Sequence, residues 1–161
     1  MKPSDSKQTP GRPPRLASVF SNYHRPVYFV TFCTLDRRNV LATPDVHDAF
    51  CRYGVCGEAH GAAVGRYVIM PDHVHLFVRQ SVDRSLGTWV KGLKRSMATP
   101  LQDAIAGGRI WQPGFFDHLL RHGESYAAKW EYVRQNPVRR GLVSCPEEWP
   151  FSGEIVPISG V

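Results

Sequence analysis

Two kinds of apolar pattern alternate along the chain, and their order restricts the folds that the chain can adopt. Residues 27–35 form an unbroken run of mostly β-branched and aromatic side chains, which is typical of a buried strand. Thr43 and Pro44 then mark a helix start, because Thr caps helices and Pro is tolerated in the first helical turn. Gly61 marks its end. The apolar residues of this helix recur at helical spacing: Val46, Ala49, Phe50, Tyr53 and Cys56.

A strand pair and a second helix follow. Residues 67–70 and 73–78 predict two strands, and the turn-forming residues 71–72, Pro-Asp, join them as a hairpin. Residues 86–97 carry apolar side chains at relative positions 0, 3, 4, 7 and 11, which is the pattern of an amphipathic helix. The outward face of this helix is basic, with Lys91, Lys94 and Arg95.

Two further elements complete the pattern. Residues 115–120 predict a fourth strand, and residues 124–135 predict a last helix that Pro137 stops. The order of the first six elements matches the split β-α-β-β-α-β unit of ferredoxin-like folds. We therefore predict an α+β fold with a ferredoxin-like antiparallel sheet, helices on one face and an open second face. The last helix, which carries Tyr132, is an addition at the C-terminal side, and the tail after Gly141 is expected to be irregular.

The length of 161 residues suits one domain with its own core, and we predict no second domain. Residues 1–15 are polar, basic and proline-containing, so we expect a flexible basic arm there and no export signal. The domain proper is expected over 16–152, with a tail over 153–161. No apolar run is long enough to span a bilayer, which excludes a membrane protein. The four cysteines form no Cys-x-x-Cys pair, and a reducing cytoplasm is the expected compartment.

The formal net charge of +6 is unevenly distributed. Residues 79–140 carry eleven Lys or Arg against five Asp or Glu, whereas residues 26–78 are slightly acidic. Arginine, which suits bidentate phosphate contacts, supplies 15 of the 20 cations. Charge alone fits either a nucleic-acid surface or an ordinary solvated face. We predict DNA-backbone contacts from cations of the arm and of the second half: Arg12, Arg15, Arg84, Lys91, Lys94, Arg95, Arg134, Arg139 and Arg140.

Two histidines share one face of a predicted strand. Because side chains alternate along a strand, His73 and His75 point to the same side, with Cα atoms about 6.5–7 Å apart. Imidazoles at that spacing can converge on one metal ion. The alternating residues Val74, Leu76 and Val78 are expected to pack under the helices. An isolated pair of this kind also fits two ordinary strand histidines.

The last predicted helix carries two tyrosines in different positions. Tyr126 and Trp130 lie on its apolar stripe, where core packing is expected. Tyr132 points nearly opposite to Trp130 and has small neighbours on its own side, so it also fits a stacking platform for bases. Asn136 follows one turn later on that side. Its amide fits a third metal ligand, and an Asn before Pro equally fits a helix terminator.

Several separated motifs resemble one protein family. Residues 70–78, Met-Pro-Asp-His-Val-His-Leu-Phe-Val, resemble the His-hydrophobic-His strand of the single-tyrosine HUH transposases. Residues 131–143, Glu-Tyr-Val-Arg-Gln-Asn-Pro-Val-Arg-Arg-Gly-Leu-Val, are similar to the tyrosine helix of their REP-associated subgroup. The resemblance extends over nearly the whole chain, roughly residues 12–152. Further stretches that resemble this subgroup are residues 28–34, 110–118 and 149–152.

The resemblance implies an enzyme that cleaves hairpin-containing single-stranded DNA, such as REP-like elements, and rejoins it through a covalent 5′-phosphotyrosine. By position, Tyr132 matches the nucleophile, His73 and His75 match the metal ligands, and Asn136 matches the third ligand. The implied cofactor is Mg²⁺ or Mn²⁺, and no small-molecule substrate is expected. The protein would act as a transposase or a domesticated transposase, as a monomer or a homodimer.

Three other functions stay open on the sequence. A DNA-binding regulator would bind without cleaving, and a metal-dependent nuclease would use water while Tyr132 only stacked on bases. A basic ferredoxin-like RNA-binding module would use aromatic side chains on its central strands, for which Tyr67 and Phe77 are the candidates. A histidine pair that occurs together with this tyrosine argues against pure binding, because binding alone needs no metal site.

Overall fold

The computed structural model describes residues 25–121 and 126–158. Five antiparallel strands form one sheet in the order β4-β1-β3-β2-β5. The strands are β1 (Val27–Cys33), β2 (Ala62–Ile69), β3 (His73–Gln80), β4 (Phe116–Leu119) and β5 (Ser152–Glu154). The helices are α1 (Pro44–Val55), α2 (Leu86–Ala98), α3 (Tyr126–Arg134) and α4 (Asn136–Arg139). Short 3-10 turns lie at Leu35–Arg37, Cys56–His60, Thr99–Leu101, Asp103–Ile105 and Pro146–Glu148.

The predicted ferredoxin-like core is confirmed, with β1 and β3 at its centre and β2-β3 as a hairpin. α1 begins as predicted, because the Thr43 side chain accepts a hydrogen bond from the Val46 amide. Ser85 caps α2 in the same way. Both helices bury their apolar stripes on one face of the sheet. The largest side chains of this core include Phe32, Phe50, Leu76, Leu93 and Met97.

The second face of the sheet is partly covered, so the expectation of an open face is wrong. A separate apolar cluster contains Phe29, Val68 and Phe77 from the sheet and the buried Val133 of α3. The ring of Tyr126 lies 4.4 Å from that of Phe77, which confirms the predicted core role of this tyrosine. Apolar side chains of the central strands need cover on this face too, and the stripe of α3 provides it.

The C-terminal part is more regular than predicted. α3 ends at Arg134, and Pro137 then lies in the first turn of α4, where a missing N–H costs nothing, so the chain remains helical. The tail also contributes β5, whose Ser152 pairs with Val68 of β2. The strand therefore crosses the expected boundary between residues 152 and 153.

Some predictions fall on parts of the chain that the structure does not describe. The basic arm with Arg12 and Arg15, the predicted start of the last helix at residue 124 and residues 159–161 lie outside the described residues. Among the described residues, none of the helices has the length and apolar character needed to cross a membrane.

Candidate active site

Two histidines on the central strand β3 form the middle of the candidate site. As predicted, His73 and His75 share a face of the sheet, while Val74 and Leu76 point to the opposite face under α1 and α2. His73 is 8% exposed. Its ring centroid lies 4.7 Å from that of His75, and the planes of the two rings cross at 80°. The pleat of β3 therefore brings two imidazoles side by side.

One nitrogen of each imidazole is held by an oxygen of the protein. The Nδ1 atom of His73 lies 2.7 Å from Oδ1 of Asp72, and Nδ1 of His75 lies 2.7 Å from Oγ1 of Thr31. With Nδ1–H donating to these oxygens, Nε2 of each ring keeps its lone pair. Within residues 25–121 and 126–158, neither Nε2 atom has a hydrogen-bond partner. This is the arrangement in which outer partners orient metal-binding histidines.

The electrostatic environment keeps both imidazoles neutral. Burial lowers the pKa of His75 to about 3, and the positive charges of Arg37 and Arg139 act in the same direction. Burial also lowers the pKa of His73, against the opposing hydrogen bond and charge of Asp72. Neutral imidazoles can coordinate a metal ion without first releasing a proton.

Asp72 connects the histidine strand to two arginines. Its side chain is only 3% exposed, and Nε of Arg37 and Nη1 of Arg140 each lie 2.8 Å from one of its oxygens. Burial alone would raise the pKa of Asp72. The hydrogen bond from His73 and the charges of both arginines outweigh burial and hold that pKa below its usual value. The carboxylate is therefore ionised and joins three separate parts of the chain.

Tyr132 is 68% exposed, as its position opposite the apolar stripe of α3 predicts. Its hydroxyl has no hydrogen-bond partner among the described residues, whereas the hydroxyl of Tyr126 accepts a bond from the Arg66 amide at 3.1 Å. The guanidinium carbon of Arg139 lies 4.2 Å from the centroid of the Tyr132 ring. Arg139 Nη2 also donates to Oδ1 of Asn136. One arginine thus contacts both the candidate nucleophile and the candidate third ligand.

The segment after Tyr132 folds back towards the histidine strand. The Arg140–Asp72 ion pair fixes the end of α4 next to His73, and the charge of Arg139 helps to lower the pKa of His75. The structure therefore brings the continuation of the tyrosine helix to the histidine pair within one chain.

Residues 22–136 of the chain match the model of the family described as "Transposase IS200 like". That match covers more than half of the chain. The chain belongs to the IS200-like transposase family. Membership in this transposase family supports a DNA-cleaving enzyme.

The predicted relation to REP-associated tyrosine transposases is confirmed by individual matches. A Haemophilus influenzae protein assigned to that group is 26% identical over 148 residues, covering 82% of this chain and 84% of the relative. The REP-associated tyrosine transposase of Escherichia coli K12 is 29% identical over 91 residues, covering 55% of this chain and 52% of the relative. A solved REP-associated tyrosine transposase bound to a REP hairpin has the same fold, with a TM-score of 0.64 and 22% identity. That match covers 83% of this chain and 89% of the other.

The predicted DNA-binding cations of this IS200-like transposase lie on different sides of the sheet. Arg139 and Arg140 lie beside the histidine pair. Lys91 and Arg95 are exposed on α2, which packs on the opposite face of the sheet. Arg84 precedes α2, close to Gly61. The structure therefore does not gather these predicted contacts into one patch.

Lys94 and Arg134, two further predicted cations, also bond to protein groups. The amine of Lys94 donates to the carbonyls of Gln112 and Gly114 at 3.1 and 2.5 Å, and burial lowers its pKa. Arg134 forms ion pairs with Glu131 and Glu147, so its charge is balanced. Lys94 therefore braces the loop before β4, and Arg134 ties α3 to the turn that follows α4.

Three residues of the site were not singled out by the sequence: Thr31, Arg37 and Asp72. Alternation along β1 and the order of the strands would have placed Thr31 on the histidine face. Asp72 directly precedes His73, but the sequence pattern predicts only a turn at this position. Arg37 lies in a loop and reaches the site through pairing that is distant in sequence, so local periodicity gives no signal for it.

The donor atoms fit a divalent metal ion, which the HUH transposase family generally uses. Two neutral imidazoles with oriented, unpaired Nε2 atoms are suitable ligands for Mn²⁺, and Mg²⁺ is acceptable with additional oxygen ligands. In the described part of the chain, no cluster of three or more His, Cys, Asp and Glu residues could hold a metal. Further ligands would therefore be amide, water or phosphate oxygens, and Asn136 is the predicted amide ligand.

Proposed function

We propose that the protein cleaves and rejoins single-stranded DNA next to a hairpin through a covalent bond between Tyr132 and a 5′-phosphate. The observation that carries the proposal is an exposed tyrosine with an unpaired hydroxyl, on a segment that the Arg140–Asp72 ion pair holds at the histidine strand. A REP-associated relative bound to a REP hairpin supports hairpin DNA of the REP type as the substrate. The role would be that of a transposase or a domesticated transposase.

In the proposed reaction, the Tyr132 hydroxyl oxygen bonds to the scissile phosphorus and loses its proton to solvent. The bond from phosphorus to the 3′-oxygen breaks, and that oxygen takes up a proton to become a free 3′-hydroxyl. A bound Mg²⁺ or Mn²⁺ would polarise the phosphate and reduce its repulsion of the nucleophile. His73, His75 and Asn136 would hold that ion. Because the phosphotyrosine ester is retained, another 3′-hydroxyl can attack it and join two strands without an external energy source.

We assign the predicted cations different roles in DNA binding. Arg139 and Arg140 would contact the backbone next to the cleaved bond, since they lie at the histidine pair. Lys91, Arg95 and Arg84 would contact DNA that extends around the helical side of the molecule. Smaller contributions are expected from the already paired side chains of Lys94 and Arg134, and the arm would add Arg12 and Arg15. Such contacts make binding weaken steeply with salt.

Replacing the nucleophile tests the chemistry directly. A hairpin oligonucleotide labelled at its 3′ end is incubated with protein and Mn²⁺ and then run on a denaturing protein gel. The wild type should give a labelled covalent adduct, because the tyrosine keeps the 5′-phosphate of the labelled fragment. Tyr132→Phe should abolish it. Tyr126→Phe, on the same helix, should keep the adduct, because that hydroxyl is hydrogen-bonded to the Arg66 amide.

The same gel distinguishes the competing functions. Cleavage without an adduct in the wild type would overturn the proposal in favour of a hydrolytic nuclease. Binding without cleavage under Mg²⁺ or Mn²⁺ would favour a regulator that binds sequence-specifically without catalysis. The RNA-binding alternative has lost its basis, because Tyr67 is 4% and Phe77 is 0% exposed and neither can stack on a base.

A further inference from the structure

Arg37 reaches the candidate site through an unusual loop. Asp36 and Arg37 both have left-handed backbone angles, with φ of 55° and 54°, although neither is glycine. A non-glycine residue in that conformation is strained, so the surrounding structure must hold it there. The Leu35 amide donates to the Ile110 carbonyl at 2.7 Å and anchors the loop. The turn directs the Arg37 side chain back over the end of β1 towards the histidines.

A buried carboxylate orients the guanidinium groups of Arg37 and Arg140. Nε of Arg37 bonds Oδ2 of Asp72, and Nη1 of Arg140 bonds Oδ1, each at 2.8 Å. Nη1 of Arg37 also contacts the Cys33 sulfur at 2.8 Å. The side chains of Arg37 and Arg140 are nevertheless 50% and 42% exposed. Each guanidinium carries five N–H donors, so donors remain that point away from the carboxylate.

The charges of this cluster favour an anion. Two arginines share one carboxylate, which leaves a surplus of one positive charge next to two neutral imidazoles. A phosphate group would compensate for this positive surplus. Oriented guanidinium groups match the oxygens of a phosphodiester in geometry as well as in charge. The cluster is thus built for a phosphate at the place where the tyrosine segment meets the histidine strand.

We propose that Arg37 and Arg140, oriented together by Asp72, form a phosphate clamp that binds one phosphodiester of the single-stranded DNA at the histidine pair. This proposal rests on the proposed function and adds to it a substrate-binding residue, Arg37, and a positioning residue, Asp72. The clamp would hold the phosphate that Tyr132 attacks, or the phosphate next to it. Arg140 would contribute the same contact from the other side of the carboxylate.

Neutral phosphate analogues test the clamp without any chemistry. Binding is measured by fluorescence anisotropy in the Tyr132→Phe background, with oligonucleotides that carry one methylphosphonate at each single-stranded position in turn. At one position, or at two adjacent ones, the parent protein should lose affinity about ten-fold or more, since a charge-assisted hydrogen bond is worth about 1.5–3 kcal/mol. In Arg37→Ala that loss should shrink to less than about half, because one of the two charged partners of the phosphate is gone while Arg140 remains.

Two matched variants make the test specific. Arg95→Ala also removes one positive charge, but from the side of the sheet that α1 and α2 cover. In this variant, a methylphosphonate at the clamp position should still lower the DNA affinity by the full amount. Arg37→Lys retains the charge without the planar fork, and its loss should lie between that of the parent protein and that of Arg37→Ala. Because the Arg37 side chain is half exposed, these variants should fold, and near-ultraviolet circular dichroism verifies it.

The outcomes separate this proposal from the proposed function. If each methylphosphonate lowers the DNA affinity of Arg37→Ala as much as that of the parent protein, the clamp is refuted, whether or not the wild type forms a covalent adduct. If the coupling between Arg37 and one phosphate is found but no adduct forms with Mg²⁺ or Mn²⁺, the clamp stands and the proposed chemistry fails.

Discussion

At the scale of single residues, the orientation of the two imidazoles is what makes the site suitable for a metal ion. Nδ1 of His73 lies 2.7 Å from Asp72 and Nδ1 of His75 lies 2.7 Å from Thr31, and with Nδ1–H donating to these oxygens each Nε2 keeps its lone pair. The Asp72 carboxylate serves the arginines as well, whereas Thr31 has His75 as its side-chain partner in the described structure. Thr31 is therefore the better position at which to test whether the orientation of an imidazole affects metal binding.

Thr31→Val should weaken metal binding while the fold is kept. The change replaces the hydroxyl by a methyl group of similar size, so the Nδ1–H of His75 loses its acceptor. Loss of an outer partner of a metal ligand typically lowers metal affinity about 10- to 100-fold. Isothermal titration of the free protein with Mn²⁺ measures this directly, apart from any DNA cleavage. Thr31→Ser keeps the hydroxyl and should bind as the wild type does; equal affinity of Thr31→Val and wild type would disprove the role.

The residues found from the sequence are those whose signals are local. Alternation along one strand identifies the face of His73 and His75, and helical spacing separates Tyr132 from the apolar stripe. Asp72 and Arg140 are 68 positions apart, and no periodicity within an element reports such a pair. The clamp and the histidine partners therefore required the register between strands and the path of the loops.

At the scale of elements, helices and strands with a strong apolar periodicity can be predicted from the sequence, and those with a weak periodicity cannot. The caps and apolar stripes of α1 and α2 predicted those helices well. β5 is Ser-Gly-Glu, three residues without an apolar alternation, and it is a strand because the edge of β2 offers unpaired backbone groups. α4 was missed because Pro137 also suits a first helical turn.

A chain that ends after Phe151 should be less stable than the full chain. It loses β5 and the partly buried Ile155 and Ile158, which pack against the two apolar clusters, and it loses the bond from the Val156 amide to the Val64 carbonyl at 2.9 Å. Two partly buried apolar side chains and a few backbone bonds together suggest a loss of about 2–4 kcal/mol. For a chain of this size that corresponds to a fall in Tm of about 5–15 °C.

Thermal unfolding followed by circular dichroism measures the difference. A chain that ends after Ile158 keeps β5 and the two packed isoleucines and serves as the control, with a Tm expected near that of the full chain. Equal Tm values for both truncations would show that β5 contributes nothing to stability. The same comparison tests the expected domain limit at residue 152, which divides β5.

At the scale of the whole molecule, the ion pair at the end of α4 determines where the tyrosine can act. Arg140 directly follows α4, and its Nη1 lies 2.8 Å from Oδ1 of Asp72 in the same chain. The ion pair therefore ties the tyrosine segment to its own histidine strand, and we expect Tyr132 to serve the histidine pair of the same chain.

Mixing two inactive variants tests this expectation. His75→Ala lacks a metal ligand and Tyr132→Phe lacks the nucleophile, so neither should form the covalent DNA adduct alone. If each tyrosine serves its own chain, an equimolar mixture also stays inactive. If the tyrosine served a partner in a homodimer, random pairing would restore about a quarter of the wild-type sites, with the DNA attached to the His75→Ala chain.

A size tag on one variant identifies the labelled chain, and an adduct on His75→Ala would contradict the expectation that each tyrosine serves its own chain. Each variant mixed with wild type is the positive control, because there the wild-type chain alone must form the adduct.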